Sequence, residues 1–143
     1  MVQVLRSVYD AMVSHALDER PNECCGLLAG TNGVITRIYR ATNVAEVKRV
    51  RYDVDPTELV RIFTDMRATD VEHLGIYHSH PNSEPRPSAT DRKLARYDAV
   101  VYFIVSLRSK RPRVEAFRLR KAQPDDDDAT VNDETIEIVD GPA

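Results

Sequence analysis

Tryptophan is absent from these 143 residues, and the only two cysteines are neighbours, Cys24 and Cys25. Adjacent residues on a strand face opposite ways, so a disulfide between them would be strained. With no distant cysteine to pair with, this is the usage of a reducing compartment. The lack of any C-x-x-C excludes thiolate metal motifs. No charge of one sign dominates either. A net charge of -3 is too mild to point to nucleic acid or an anionic membrane as partner. There is no apolar run long enough to span a bilayer. Met1-Val2-Gln3-Val4-Leu5-Arg6 also lacks the apolar core of a secretory signal. The expectation is a cytoplasmic chain built on a single modest core.

What the chain does have is a dense polar stretch, His78-Ser79-His80-Pro81-Asn82-Ser83-Glu84-Pro85-Arg86-Pro87-Ser88-Ala89-Thr90-Asp91. The two histidines end Leu74-Gly75-Ile76-Tyr77, which reads as a buried strand. Side chains alternate along a strand, so His78 and His80 point one way and Ser79 the other. Two imidazoles on one face, with a carboxylate returning from the next segment, offer three ligands to one metal ion. Three such ligands and a water are the composition of a catalytic zinc site.

The remaining elements follow from local signals. Residues 7–19 read as a helix with Val8 and Met12 on one face, limited by Pro21. Residues 24–29 and 34–40 read as strands joined by Thr31-Asn32-Gly33, a hairpin. Val50, Tyr52 and Val54 alternate with Arg51 and Asp53, which predicts a half-exposed strand. Asp55-Pro56-Thr57-Glu58 is a helix start, continued by the stripe Leu59, Ile62, Phe63, Met66. A short helix is expected over 88–97, a central strand over 99–107 and another over 114–119. The acidic run Asp125 to Asp128 predicts a solvated linker, followed by a last strand over 135–139. The fold class is mixed α/β, with one largely antiparallel sheet flanked by helices. The domain expectation is a core of residues 1–122, then a linker and tail of 123–143.

Each site residue has an ordinary alternative. A histidine at a strand end is often a solvent contact or a core hydrogen-bond partner. Ser88 and Asp91 form Ser-x-x-Asp, a helix capping box. Capping and catalysis are compatible, because a carboxylate has two oxygens and a hydroxyl both accepts and donates. Glu23 by itself is an ordinary turn acid. It stands where an apolar strand begins, however, and burial there would raise its pKa toward the range of a working base.

Together these residues resemble the signature of the JAMM (MPN-plus) zinc metalloproteases, in their compact prokaryotic branch. Glu23 is followed far downstream by H-x-H-x(7)-S-x(2)-D over His78, His80, Ser88 and Asp91 without a gap. Cys-Gly-Leu-Leu-Ala-Gly after the acid adds to the match. The resemblance covers roughly residues 3 to 120 and implies a cytidine-deaminase-like JAMM/MPN core. It implies one zinc per chain on His78, His80 and Asp91, with Glu23 as general base and Ser88 as the donor to the developing oxyanion. It further implies hydrolysis of amide or isopeptide bonds at the C-terminal tail of ubiquitin-like or sulfur-carrier β-grasp proteins. Such a tail is usually held by strand addition. Residues 44–54, with Lys48, Arg49 and Arg51, are the expected edge, unless those charges protect a merely solvated strand. The sequence is compatible with a homodimer.

Other classes fit the sequence less well. A non-catalytic scaffold of the same fold is the alternative, and the intact set of five polar residues speaks against it. A barrel amidohydrolase would need about 250 residues. A zinc deaminase would need P-C-x-x-C. By alternation Cys25 faces the same side as Glu23. It reads either as a redox-sensitive thiol at the site or as a small buried hydrophobe.

Overall fold

Asn32 and Gly33 both adopt positive φ, 54° and 77°, the pair of left-handed residues that a tight hairpin requires. They join β2 (Cys25–Thr31) to β3 (Val34–Ala41). The computed structural model describes residues 1–141. Ahead of the hairpin stand β1 (Val2–Leu5) and α1 (Arg6–Glu19). After it come α2 (Pro56–Ala68), β4 (Glu72–His80), α3 (Ala89–Leu94), β5 (Val101–Ser106) and β6 (Arg113–Arg120). The described chain closes with β7 (Thr130–Glu134) and β8 (Ile136–Val139).

These strands form one sheet in the order β7-β6-β5-β4-β2-β3-β1-β8. Four of its pairings are antiparallel: β7 with β6, β6 with β5, β4 with β2 and β2 with β3. The mixed α/β class and the largely antiparallel sheet are as expected. β7 and β8 lie at opposite ends of the order although only Thr135 separates them. The sheet must therefore bend until both edges reach one C-terminal segment. Val2 N–H donates to Thr135 O at 2.8 Å at that junction. Neither β1 nor β7 was expected. β1 is too short to show a period, and the polar sequence of β7 hides its pairing with β6.

The helices divide between the two faces. α1 buries Val8, Met12 and Ala16 against Val4, Leu28, Tyr77 and Phe103. On the other face α2 buries Ile62 and Met66 against Cys25, Leu27 and Ala29. Asp55 caps α2 by accepting from Thr57 N–H at 3.0 Å, with Pro56 in the first turn as its sequence signals. α3 is shorter than expected, ending at Leu94. Among the described residues, no helix is long and apolar enough to cross a membrane.

The strand expected at 50–54 does not form. Residues 42–55 are a loop whose one ladder contact is the isolated bridge Asn43–Val54. Asn43 Oδ1 accepts from Ala45 N–H and Asp53 N–H, and its Nδ2 donates to Arg51 O. Backbone groups that a strand would offer to a neighbour are thus used inside the loop. Residues 44–54 are therefore not an edge strand of the sheet, whose outer strands are β7 and β8. Residues 123–128 are turns and bends, mostly exposed, with Asp128 Oδ1 accepting from Arg92 Nε at 2.7 Å.

Register shifts at Ala29/Gly30 against β3 and at Leu28/Ala29 against β4 bend the central strand. A Cβ on Gly30 would sit 1.8 Å from the backbone oxygen of Val34, so the backbone must move. Gly30→Ala should cost about 3 kcal/mol, the upper end of overpacking penalties. Denaturant unfolding checks this, and a loss under about 1 kcal/mol would show that the bulge can relax.

Candidate metal centre

The polar centre lies at the carboxyl end of β4, where that strand runs parallel to β5. Crevices at the carboxyl ends of parallel strands are where open α/β sheets place ligands. Alternation puts His78 and His80 on one face, as expected, and both are buried. Asp91 comes from the first turn of α3, whose direction is set by its cap. Ser88 Oγ accepts from Asp91 N–H at 3.1 Å, and Asp91 Oδ2 accepts from Ser88 N–H at 2.9 Å. The capping box therefore aims the carboxylate back at the strand.

Three ligand atoms meet there. His78 Nε2 lies 3.2 Å from His80 Nε2, and Asp91 Oδ2 lies 3.2 Å and 3.0 Å from those nitrogens. Neighbouring vertices of a tetrahedron with bonds of about 2.0 Å are roughly 3.3 Å apart, so the triangle has the size of one coordination face. His80 Nδ1 lies 2.8 Å from Glu84 O. Donating its proton to that carbonyl leaves the Nε2 lone pair directed at the cluster. Buried lone pairs this close repel unless a proton or a metal cation lies among them. The chemistry of the donor set and its geometry therefore fit a metal ion held by His78, His80 and Asp91.

Burial would raise the Asp91 carboxyl, but His78, His80 and the Ser88 N–H hold it well below the usual carboxylate range. Burial would lower His80; its hydrogen bonds with Asp91 and Glu84 raise it instead. Glu23 is 4% exposed. Burial pushes its carboxyl up to about 8, against the pull of His80 and with a further push from Asp91. Its Oε1 is buried and has no hydrogen-bond partner. That orphaned atom beside a cation-sized cluster is placed to take or give a proton. Ser88 Oγ spends its lone pair on the cap, and among the described residues its own proton has no acceptor. It remains free to donate to a substrate oxygen.

All five residues singled out by sequence thus converge on one place. Missed were Tyr52, whose ring stacks on His78 at 4.5 Å and 23°, and Asn43, which donates to Glu23 O. Tyr52 carried only a misleading strand alternation, and Asn43 carried no local signal. Ser79, on the opposite face, accepts from Cys24 N–H at 2.8 Å and ties β4 to the residue after Glu23. A cavity of about 250 Å³ borders Asp91 and is lined by Val44, Arg51, Tyr52, Leu94, Arg96 and Tyr97 among others.

Cys25 packs in the apolar cluster under α2. Burial raises its thiol far above the ordinary value and pushes Cys24 up to about 12. Neither supplies a thiolate at neutral pH. Both should resist alkylation in the native protein and react only after unfolding, which mass spectrometry would follow. Fast native labelling of Cys25 would restore the redox-sensitive reading.

A sequence profile described as prokaryotic homologs of the JAB domain matches residues 5–120. A desampylase of Haloferax volcanii is 41% identical over 103 residues, 68% of this chain and 74% of that protein. A CysO-cysteine peptidase of Mycobacterium tuberculosis is 34% identical over 142 residues, 96% of this chain and 92% of that one. The solution structure of a Desulfitobacterium hafniense protein superposes with a TM-score of 0.84 at 31% identity, covering 99% of this chain and 94% of the other.

Proposed function

The chain belongs to the family of prokaryotic homologs of the JAB domain, and on that premise we propose that zinc on His78, His80 and Asp91 serves cleavage at the tail of a small β-grasp protein. It is a JAMM-type peptidase. The substrate class is a ubiquitin-like or sulfur-carrier protein whose C-terminal carbonyl is joined to an amine. The names of its relatives, desampylase and CysO-cysteine peptidase, support that class. The single observation that carries the site assignment is the triangle of ligand atoms beside the unpartnered Glu23 Oε1.

Two nitrogens and one carboxylate oxygen at tetrahedral spacing favour zinc over the harder, six-coordinate cations. When bound, zinc supplies Lewis acidity and a water whose pKa falls toward about 7. This chain's own residues supply the proton transfers and the alignment. Glu23 Oε1 accepts a proton from the attacking water as its oxygen bonds to the carbonyl carbon, and later returns it to the nitrogen of the leaving amine as the C–N bond breaks. The Ser88 hydroxyl donates to the carbonyl oxygen as negative charge gathers there. The cavity beside Asp91 holds the approaching tail, and Arg51 and Arg96 on its rim offer charge to that segment.

The assignment of residues 1–122 as the catalytic unit belongs to this proposal, since all five site residues lie before 123. So does a cytoplasmic location, which suits two free thiols. The test uses the purified chain, its zinc content and a β-grasp protein fused through its tail to a peptide or amino acid. Zinc near one equivalent and cleavage that a chelator stops and zinc restores are the expected results. Chelator-insensitive cleavage, or bound zinc without cleavage of any such fusion, would overturn it, the latter in favour of a binding module.

A further inference from the structure

Glu23 precedes β2 and has no place in the strand ladders, whose pairings begin at Cys25. Its peptide is held by the loop of residues 43–54 instead. Glu23 N–H donates to Lys48 O at 2.7 Å, and Glu23 O accepts from Asn43 Nδ2 at 2.9 Å. A side-chain amide has two N–H donors and two acceptor lone pairs. Asn43 uses all four: one on Glu23, and three on Ala45 N–H, Asp53 N–H and Arg51 O. The amide that closes the loop also anchors the acid.

The same loop reaches His78. A metal-ligating histidine ordinarily hydrogen-bonds through its second nitrogen, which fixes the plane of the ring. His80 does so through Glu84 O. His78 does not, because its Nδ1 is buried without a partner. The ring of Tyr52 lies nearly flat against it, 4.5 Å away. Val44, Glu46 and Arg51 of this loop meanwhile wall the cavity beside Asp91.

We infer that Asn43 and Tyr52 are positioning residues, Asn43 for the acid Glu23 and Tyr52 for the ring of His78, so that residues 43–54 build substrate groove and catalytic centre as one piece. The inference rests on the proposed zinc peptidase reading. Displacement of a catalytic group by about 1 Å can cost 10²-fold in rate. Loss of a group that orients a ligand typically costs 10–100-fold in metal affinity. The two residues therefore separate by readout.

The full chain is tested with Tyr52→Phe, Tyr52→Leu, Asn43→Ala and Asn43→Asp. Zinc affinity is read by competition with a chromogenic chelator. Tyr52→Leu should bind zinc about 10–100-fold more weakly, while Tyr52→Phe, which keeps the ring face, stays within about threefold. Asn43→Ala should keep zinc affinity and lose about 10–100-fold in kcat with much less change in KM. Exchange of the Glu23 amide hydrogen should quicken at least about tenfold, with the amides inside β2 unchanged. Asn43→Asp keeps the acceptor for Ala45 N–H and Asp53 N–H and removes the donor to Glu23 O and Arg51 O, so it reads the anchor if the alanine variant fails to fold. Unchanged zinc affinity in Tyr52→Leu, or unchanged kcat and Glu23 exchange in both Asn43 variants, would overturn the inference. A wild-type chain that binds zinc but cleaves no tail fusion would defeat the proposed reaction alone, leaving the zinc and exchange measurements to decide this one.

Discussion

Glu23→Gln is expected to retain zinc and to lose about 10²–10⁴-fold of tail cleavage, the span of a general base. The amide keeps the size of the acid and removes the one function that Oε1 can perform, reversible proton uptake. Zinc content and single-turnover cleavage read the two halves separately. Full activity would remove Glu23 from the mechanism.

The same variant carries a second, independent signature. In the metal-free fold Glu23 keeps its proton up to about pH 8, because burial disfavours the charged form. In the unfolded chain a glutamate releases it near 4.3. Between those values the unfolded state binds fewer protons, so the stability of the metal-free protein falls as pH rises through that window. Glutamine has no proton to lose. Metal-free Glu23→Gln should therefore be more stable to denaturant than metal-free wild type at pH 8, by up to about 2–4 kcal/mol, with the gap closing toward pH 5. A gap that does not change with pH would show that the carboxyl is not buried as described.

Asp91→Asn should lose the metal without losing the helix. The neutral amide can still accept from Ser88 N–H, so the start of α3 survives. The anionic ligand that His78 and His80 converge on does not. Zinc affinity should fall by at least about 100-fold, beyond the cost of removing a residue that merely orients a ligand, and cleavage should drop to background. Metal content after dialysis at a fixed free zinc concentration measures the first, and circular dichroism confirms that the fold persists. Wild-type zinc binding in this variant would take Asp91 out of the ligand set and, with it, the single-cation centre.

How legible each part was depended on how local its cause was. The hairpin at Asn32-Gly33 was readable because positive φ at two successive residues suits few side chains. The start of α2 was readable from Asp55-Pro56. The misplaced strand at 50–54 had the right alternation, yet Asn43 captured the backbone groups of that segment from outside it. β7 runs through polar sequence and exists because the edge of β6 comes to it, whereas the alternating Ile136 and Ile138 made β8 readable.

Sequence alone determined that two imidazoles share a face and that a serine and an aspartate cap the helix behind them. Backbone periodicity and capping act within a few residues, and at these positions no outside contact displaced them. Tertiary structure alone decided that these groups close to 3.0–3.2 Å, that Glu23 is buried with a free oxygen, and that Asn43 and Tyr52 hold the centre from a loop. Those outcomes depend on desolvation and on contacts between residues tens of positions apart, and neither leaves a periodic trace along the chain.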